Sequence, residues 1–217
     1  MPIRSVIFDY GEVLCTPDPD AYRQLLALTG LDAAAFDRCY WADRRDYDLG
    51  LFDGRGYWTR FAERAGIRLT PDKLAALVES DVLLWTHLSE PMLAWVAALQ
   101  DAGMATAILS NMVSDVLRYM RQEFAWLRHF TQLTWSCELG IVKPDPAIYL
   151  YTCEQLSVAP ADALFLDDKP ENVRGAEQAG LSALRFTSIE QLRADLAARG
   201  WPQNLPQPGA DEVPLPA

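Results

Sequence analysis

The sequence predicts an α/β protein with a parallel β-sheet core and a small helical cap inserted after the first strand. Three short apolar runs each end in polar residues, and segments of helical periodicity separate these runs. Strands that are apolar along their whole length and alternate with helices are typical of parallel sheets buried on both faces. In such sheets, ligands bind beyond the carboxyl ends of the strands.

Each expected strand runs directly into polar side chains. The strands and the residues that follow them are Ser5–Phe8 with Asp9, 105–109 with Ser110 and Asn111, and 163–166 with Asp167 and Asp168. Gly11 indicates a tight turn after the first strand, and a helix at 170–179 with Gly180 as its C-cap follows the third. We therefore expect the polar residues to meet at one edge of the sheet.

The stretch between the first and second strands has helical periodicity and no convincing strand. The periodic segments are 22–28, 33–40, 57–65 and 72–84. These segments predict a helical cap at 16–89, inserted into a core formed by 1–15 and 90–200. Residues 201–217 contain five prolines and little apolar content, so we expect a loose tail there.

Charge and composition limit the partners. The 217 residues include 30 acidic and 19 basic ones, which gives a formal net charge of −11. This field repels nucleic acid and anionic lipid, and the sequence contains no run of lysine or arginine, so we expect neither nucleic-acid nor membrane partners. The apolar run before Asp9 is too short for a signal or membrane segment. The four cysteines stand far apart, which fits a reduced cytoplasmic setting.

Three acidic residues, Asp9 and the adjacent pair Asp167 and Asp168, have both a catalytic and a structural interpretation. Asp9 at a strand end, before a glycine turn, could be a nucleophile that forms an aspartyl phosphate, or it could cap the turn. Asp167 and Asp168 repel each other when adjacent, and a hard divalent cation such as Mg²⁺ is the usual reason to hold two acids together. The alternative is a capping pair at the start of the next helix.

Three further residues complete the candidate site. Lys143 is followed by two prolines, Pro144 and Pro146, that stiffen the backbone, and it could neutralise phosphoryl charge, although most lysines are simply solvated. Ser110 and Asn111 offer a hydroxyl and an amide at a strand end for phosphate oxygens, and both residue types are also ordinary helix N-caps.

Taken in this order, the four segments resemble the four motifs of the haloacid dehalogenase (HAD) superfamily. The matching segments are FDYGEVL at 8–14, ILSN at 108–111, KPDP at 143–146 and FLDDKPEN at 165–172. The resemblance covers about residues 3–186. Within the superfamily, the chain is similar to the phosphatase domain of soluble epoxide hydrolases and to bacterial sugar phosphatases.

The resemblance implies a Rossmann-like core and a role for each site residue. Asp9 would be the nucleophile and a Mg²⁺ ligand, together with the Gly11 carbonyl and Asp168. Asp167 and Asn172 would belong to the metal site by orienting metal-bound water. Ser110 and Asn111 would contact the phosphoryl group, and Lys143 would neutralise its charge.

Gly11 departs from the pattern, because most phosphatases of this superfamily carry a second aspartate there as the general acid and base. The resemblance therefore implies a Mg²⁺-dependent hydrolase of small phosphomonoesters that lacks this acid. The alternatives are a catalytically impaired metal- and phosphometabolite-binding protein, or a dehalogenase.

The cap contains a dense patch of aromatic and charged residues at 41–58. We expect Arg44 or Arg45 to contact a second anionic group of a small phosphorylated metabolite, while a solvated helix face is the structural alternative. The sequence leaves the oligomeric state open.

Overall fold

The structure, a computed structural model, describes residues 3–209. Its strands are β1 (Ser5–Phe8), β2 (Cys15–Thr16), β3 (His87–Leu88), β4 (Ala105–Ser110), β5 (Gln132–Trp135), β6 (Ala163–Asp167) and β7 (Ser182–Arg185). Its α-helices are α1 (Pro19–Thr29), α2 (Ala33–Ala42), α3 (Arg44–Asp48), α4 (Gly54–Ala65), α5 (Pro71–Leu84), α6 (Glu90–Asp101), α7 (Ser114–Glu123), α8 (Ser136–Leu139), α9 (Pro146–Gln155), α10 (Pro170–Gln178) and α11 (Ile189–Ala198).

Five strands form one parallel sheet in the order β5-β4-β1-β6-β7, which confirms the predicted fold class. Consecutive residues of β1 enter different hydrophobic clusters: Val6 and Phe8 belong to one, and Ile7 belongs to the other. Because successive side chains of a strand point to opposite faces, both faces of the sheet are covered. This double burial explains why β1 is apolar throughout.

The sequence analysis found the three central strands and missed the two edge strands. β5 is Gln-Leu-Thr-Trp and only two of its four residues are buried, and β7 ends at the exposed Arg185. Edge strands contact a neighbour on one side only, so their composition needs less apolar content. A hydrophobic run is therefore a weak signal for them.

Helices α1 to α5 lie between β1 and β4, where the sequence predicted helices. Most of these helices begin at a side-chain cap, such as Asp18 for α1, Asp32 for α2, Asp53 for α4 and Thr70 for α5. The antiparallel pair β2–β3, which the sequence did not predict, joins the two ends of this helical segment. We propose that the core and the cap meet at this ribbon. The boundary 15/16 falls within β2, and the boundary 89/90 follows β3.

Residues 201–209 are packed against the core, contrary to the expectation of a loose tail. Trp201 is buried, and the indole N–H groups of Trp95 and Trp201 donate to the Pro206 carbonyl at 3.0 and 3.2 Å. Arg193 donates to the Pro208 carbonyl at 2.8 Å. Proline content misled the prediction because carbonyls still accept hydrogen bonds in a chain without regular structure. The rest of the predicted tail, 210–217, lies outside the described residues.

Within residues 3–209, no helix is both long and apolar enough to cross a membrane.

Candidate active site

The sheet order brings the ends of β1, β4 and β6 together. β1 lies between the other two, and Phe8 pairs with Ile108 on one side and Leu166 on the other. Asp9 therefore lies beside Asp167 and near Ser110, as the sequence predicted. The Tyr10 backbone N–H donates to Oδ1 of Asp9 at 2.7 Å and helps to fix the carboxylate.

Lys143 connects two of these acids. Its Nζ lies 2.8 Å from Oδ1 of Asp9 and 2.6 Å from Oδ2 of Asp167, and the lysine is only 3% exposed. Burial lowers the pKa of Lys143, but Asp167 and Asp9 together raise it by more than burial lowers it, so the net shift is upward. The lysine is therefore a permanent cation at the base of the site.

For the carboxyl group of Asp9, the effect of burial on the pKa outweighs that of the neighbouring charges. Burial raises the pKa of Asp9 to about 7, while the nearby Lys143 ammonium acts to lower it and Asp167 adds to the rise. Three acidic groups thus share this small region with one lysine. Such a set has an excess of negative charge that a cation would neutralise.

The three acids can present one oxygen each to a common point. Oxygen atoms of Asp9, Asp167 and Asp168 all lie within 4.8 Å of one another. Carboxylate oxygens are the ligands that Mg²⁺ prefers. Burial and the neighbouring Asp167 raise the pKa of Asp168, which indicates that these charges interact. The donor set therefore fits Mg²⁺.

Asp167 is the most constrained of the three acids, with no exposed surface. Besides Lys143, it accepts hydrogen bonds from the Asn172 amide, at 2.9 and 3.0 Å, and from the Lys169 backbone N–H, at 2.9 Å. Both of its oxygens are therefore already held by the protein. Asp168 is half-buried and lines the cavity with Asp9 and Gly11, which leaves it freer to contact a ligand.

The two polar residues after β4 differ in what they can contact. Ser110 is buried and lines the cavity, where its hydroxyl can contact a ligand. The Asn111 amide instead donates to the Lys143 carbonyl at 3.1 Å and accepts from the Lys143 N–H at 2.8 Å. Asn111 therefore holds the lysine-bearing loop in place, although it also lines the cavity. The geometry supports this positioning role more than the expected contact with substrate.

The cap closes the other side of the cavity, which has a volume of about 150 Å³. The cap contributes Trp41, Arg44, Asp48 and Trp85 to its lining, and the core contributes Asp9, Tyr10, Gly11, Glu12, Ser110, Asn111, Met112, Val116, Lys143, Asp168, Lys169 and Asn172. Arg44 thus lies where the sequence analysis expected a substrate contact. Arg45 is exposed and outside this lining, so the geometry does not support it as a ligand.

Several residues of the site gave no recognisable signal in the sequence. The Ser136 hydroxyl donates to the Asp48 carbonyl at 2.6 Å and accepts from the Met112 N–H at 2.8 Å, which links the cap to the loop after β4. The Trp85 ring lies directly beside Gly11 in the cavity lining. These contacts join distant parts of the chain, so no local pattern predicts them. Lys169 is different, because it directly follows the acid pair in the sequence and could have been noticed for that reason.

Comparison with known proteins agrees with this geometry. A family model described as haloacid dehalogenase-like hydrolase matches residues 3–180. Bifunctional epoxide hydrolase 2 of Rattus norvegicus is 34% identical over 108 residues, covering 47% of this chain and 19% of that protein. Phosphoserine phosphatase of Thermus thermophilus is 36% identical over 92 residues, covering 42% and 37%. Both matches thus span well under half of the relative's length.

A solved structure has the same fold. It is a HAD family enzyme from Bacteroides thetaiotaomicron, an aspartate-to-alanine mutant in complex with magnesium and inorganic phosphate. The TM-score is 0.69 at 16% sequence identity, with 85% of this chain and 94% of that chain covered. At this identity the likeness establishes the fold alone.

Proposed function

The chain belongs to the haloacid dehalogenase-like hydrolase family, and from this premise we propose that it is a Mg²⁺-dependent phosphatase. Its substrates would be small phosphomonoesters, and the reaction would pass through an aspartyl phosphate on Asp9. The observation that carries the proposal is the Lys143 ammonium, held 2.8 Å from Asp9 and 2.6 Å from Asp167 at the ends of adjacent strands.

This arrangement suits phosphoryl transfer because that reaction depends on positioning and on neutralising charge. A buried carboxylate next to a fixed cation is a positioned nucleophile, and the cation can also neutralise the negative charge of the phosphoryl group. A substrate phosphate would otherwise be repelled by a protein with a net charge of −11.

Asp9, Asp168 and the Gly11 carbonyl would hold the Mg²⁺. Asp167 and Asn172 would orient metal-bound water without binding the ion directly. The ion, when bound, would supply positive charge to the phosphoryl oxygens. Asp167 suits the supporting role because Lys143 and Asn172 already occupy its oxygens.

The protein's own residues would carry two displacements at phosphorus. An Asp9 oxygen forms a bond to phosphorus while the bond from phosphorus to the substrate's leaving oxygen breaks, and that oxygen takes the electron pair. Water then attacks the same phosphorus and gives up a proton to solvent, which balances the proton that the leaving oxygen takes from solvent. The bond to Asp9 breaks, and inorganic phosphate and the free carboxylate are released. The Ser110 hydroxyl would donate a hydrogen bond to a phosphoryl oxygen, and Lys143 would remain protonated throughout.

The names of two relatives and one solved structure support the proposal. Phosphoserine phosphatase of Thermus thermophilus and phosphoglycolate phosphatase of Psychrobacter arcticus are named for phosphomonoester substrates. The Bacteroides enzyme is described in complex with magnesium and phosphate. We propose a small phosphorylated metabolite as the partner and, because all four cysteines are free thiols, a cytoplasmic location.

The test is phosphate release from sugar phosphates, nucleotides and p-nitrophenyl phosphate, with and without Mg²⁺. We expect release that requires Mg²⁺ and stops on chelation. Binding of Mg²⁺ and phosphate without release would instead identify a binding protein. Halide release from 2-haloacids that is insensitive to chelator would identify a dehalogenase.

A further inference from the structure

The cap side of the cavity is built around a single buried arginine. The guanidinium of Arg44 lies 5.1 to 5.8 Å from the ring centroids of four aromatic residues, which are Tyr40, Trp41, Tyr47 and Trp85. Its Nη1 donates to the Tyr40 hydroxyl at 2.7 Å. Stacking of this kind fixes the planar group in one orientation. Arg44 is therefore a rigid part of the cavity wall.

The charge of this arginine is already compensated. Its Nε lies 3.2 Å from Oδ1 of Asp48, and its Nη1 lies 3.7 Å from Oδ1 of Asp81. One positive group thus faces two carboxyl groups, and the Arg44 charge favours the ionised form of each. With at least one of the two ionised, the local sum is neutral or negative and leaves no positive charge for an incoming anion.

The remaining charges near the cap do not change this balance. Among the described residues that line the cavity away from the Lys143 site, Arg44 and Lys169 are basic and Glu12 and Asp48 are acidic. These two basic and two acidic groups cancel in number. The Lys169 ammonium lies over an aromatic ring, with its Nζ 5.3 Å from the centre of Trp41. A second anionic group on a substrate would therefore find no net attraction at the cap.

The same wall is well suited to an uncharged organic group. Trp41 and Trp85 present indole surface to the cavity, while the Arg44–Asp48 pair offers both donors and acceptors. A hydroxyl group can accept from the arginine and donate to the aspartate, and carbon atoms can pack on the indoles.

We propose that the cap half of the cavity selects phosphomonoesters whose organic part is uncharged and hydroxyl-bearing, and rejects those with a second anionic group. The selection depends on Asp48 and Asp81 compensating Arg44. This inference rests on the proposed function for its phosphate site. It also replaces the expectation that Arg44 contacts a second anion.

The test compares glycerol 3-phosphate with 3-phosphoglycerate, which have similar sizes and carry the phosphate on a primary alcohol but differ by one carboxylate. Binding to the full chain with Mg²⁺ present would be measured by calorimetry. We expect glycerol 3-phosphate to bind about tenfold more tightly or better, as one uncompensated charge contact requires. Asp48→Asn should shift the ratio of dissociation constants toward 3-phosphoglycerate by a similar factor.

Asp46→Asn on the same helix is the matched control, because Asp46 lies outside the cavity lining, and it should leave the ratio unchanged. If Asp48→Asn fails to fold, the ratio for the parent protein still decides. Equal or tighter binding of 3-phosphoglycerate by the parent, or no binding of either compound, would overturn the inference. A chain that prefers glycerol 3-phosphate but releases phosphate from no substrate would overturn the proposed function and support this inference.

Discussion

Trp85 occupies the space beside Gly11. A Cβ built on Gly11 would lie 3.3 Å from Cζ3 of the Trp85 indole, which is closer than ordinary van der Waals contact. Gly11 does not have a positive φ, so backbone conformation does not require a glycine here. A side chain at position 11, such as the second aspartate of the resembling phosphatases, would require the Trp85 indole to shift by a few tenths of an ångström.

The Trp85–Gly11 contact predicts a strong dependence of the rate on the leaving group. No carboxyl group at position 11 can protonate the leaving oxygen, and general acids typically contribute about 10² to 10⁴-fold. Aryl, acyl and anomeric sugar phosphates should therefore turn over much faster than alkyl phosphates. A series of aryl phosphates of graded leaving-group pKa measures this. A rate independent of that pKa would show that another proton donor is in place.

The same contact predicts that Gly11→Asp alone will not restore a general acid. The new side chain would fit only if the indole moved, and the hydrogen bond from that indole to Tyr40 opposes the movement, so we expect no increase in alkyl phosphate hydrolysis. The double variant Gly11→Asp with Trp85→Leu has the necessary space, and its kcat on alkyl phosphates should exceed that of Trp85→Leu alone. Trp85→Leu is the control because it removes the hydrogen bond to Tyr40 in both proteins. Equal rates in Trp85→Leu and the double variant would contradict the steric explanation.

Asp9→Asn should abolish turnover while the fold is retained. The amide is not a nucleophile and is a poorer metal ligand, but it is nearly the same size as the carboxylate. Steady-state phosphate release measures the loss, and circular dichroism checks the fold. Activity within tenfold of the parent would rule out Asp9 as the nucleophile.

We expect Asp167 to matter more for the stability of the fold, and Asp168 to matter more for binding of Mg²⁺. Asp167→Ala removes a buried partner of the Lys143 ammonium and should cost about 3 to 5 kcal/mol of unfolding free energy, measured with urea. Asp168→Ala, which is half-buried, should cost much less but should abolish Mg²⁺ binding measured by calorimetry. Where Asp167→Ala is folded, its Mg²⁺ affinity should fall by only about 10 to 100-fold. Unchanged Mg²⁺ affinity in Asp168→Ala would refute its assignment.

Asp115 connects the core to the cap and should stabilise their contact. Its Oδ2 on α7 accepts from the buried Gly54 N–H at 2.7 Å and from the Tyr47 hydroxyl at 3.2 Å, both in the cap. Asp115→Ala leaves that N–H without its acceptor, at a cost of about 1 to 3 kcal/mol. Arg118→Ala is the control, since the largely exposed Arg118 pairs with the other oxygen of Asp115 and should cost under about 1 kcal/mol. Equal losses in urea denaturation would argue against a specific cap contact.

The sequence by itself determined the central part of the fold and the family. A buried strand needs a local run of apolar residues, and a turn or catalytic residue at its end interrupts that run, so β1, β4 and β6 could be read together with Asp9, Ser110 and the acid pair Asp167 and Asp168. Their convergence followed from the parallel sheet. Lys143 was identified through its motif, and the structure then placed it between Asp9 and Asp167.

Only the tertiary structure decided what surrounds these residues. Arg44 and Asp81 lie on different helices, and the Trp85 ring and Gly11 lie in the cap and the core. Arg44 and Asp48, in contrast, are four residues apart on α3, a spacing at which helical side chains meet. Contacts between elements depend on how the elements pack, and periodicity within one element carries no information about its partner. The sequence could therefore place Arg44 in the cap, whereas its second carboxyl partner, Asp81, became visible only once the packing of the helices was known.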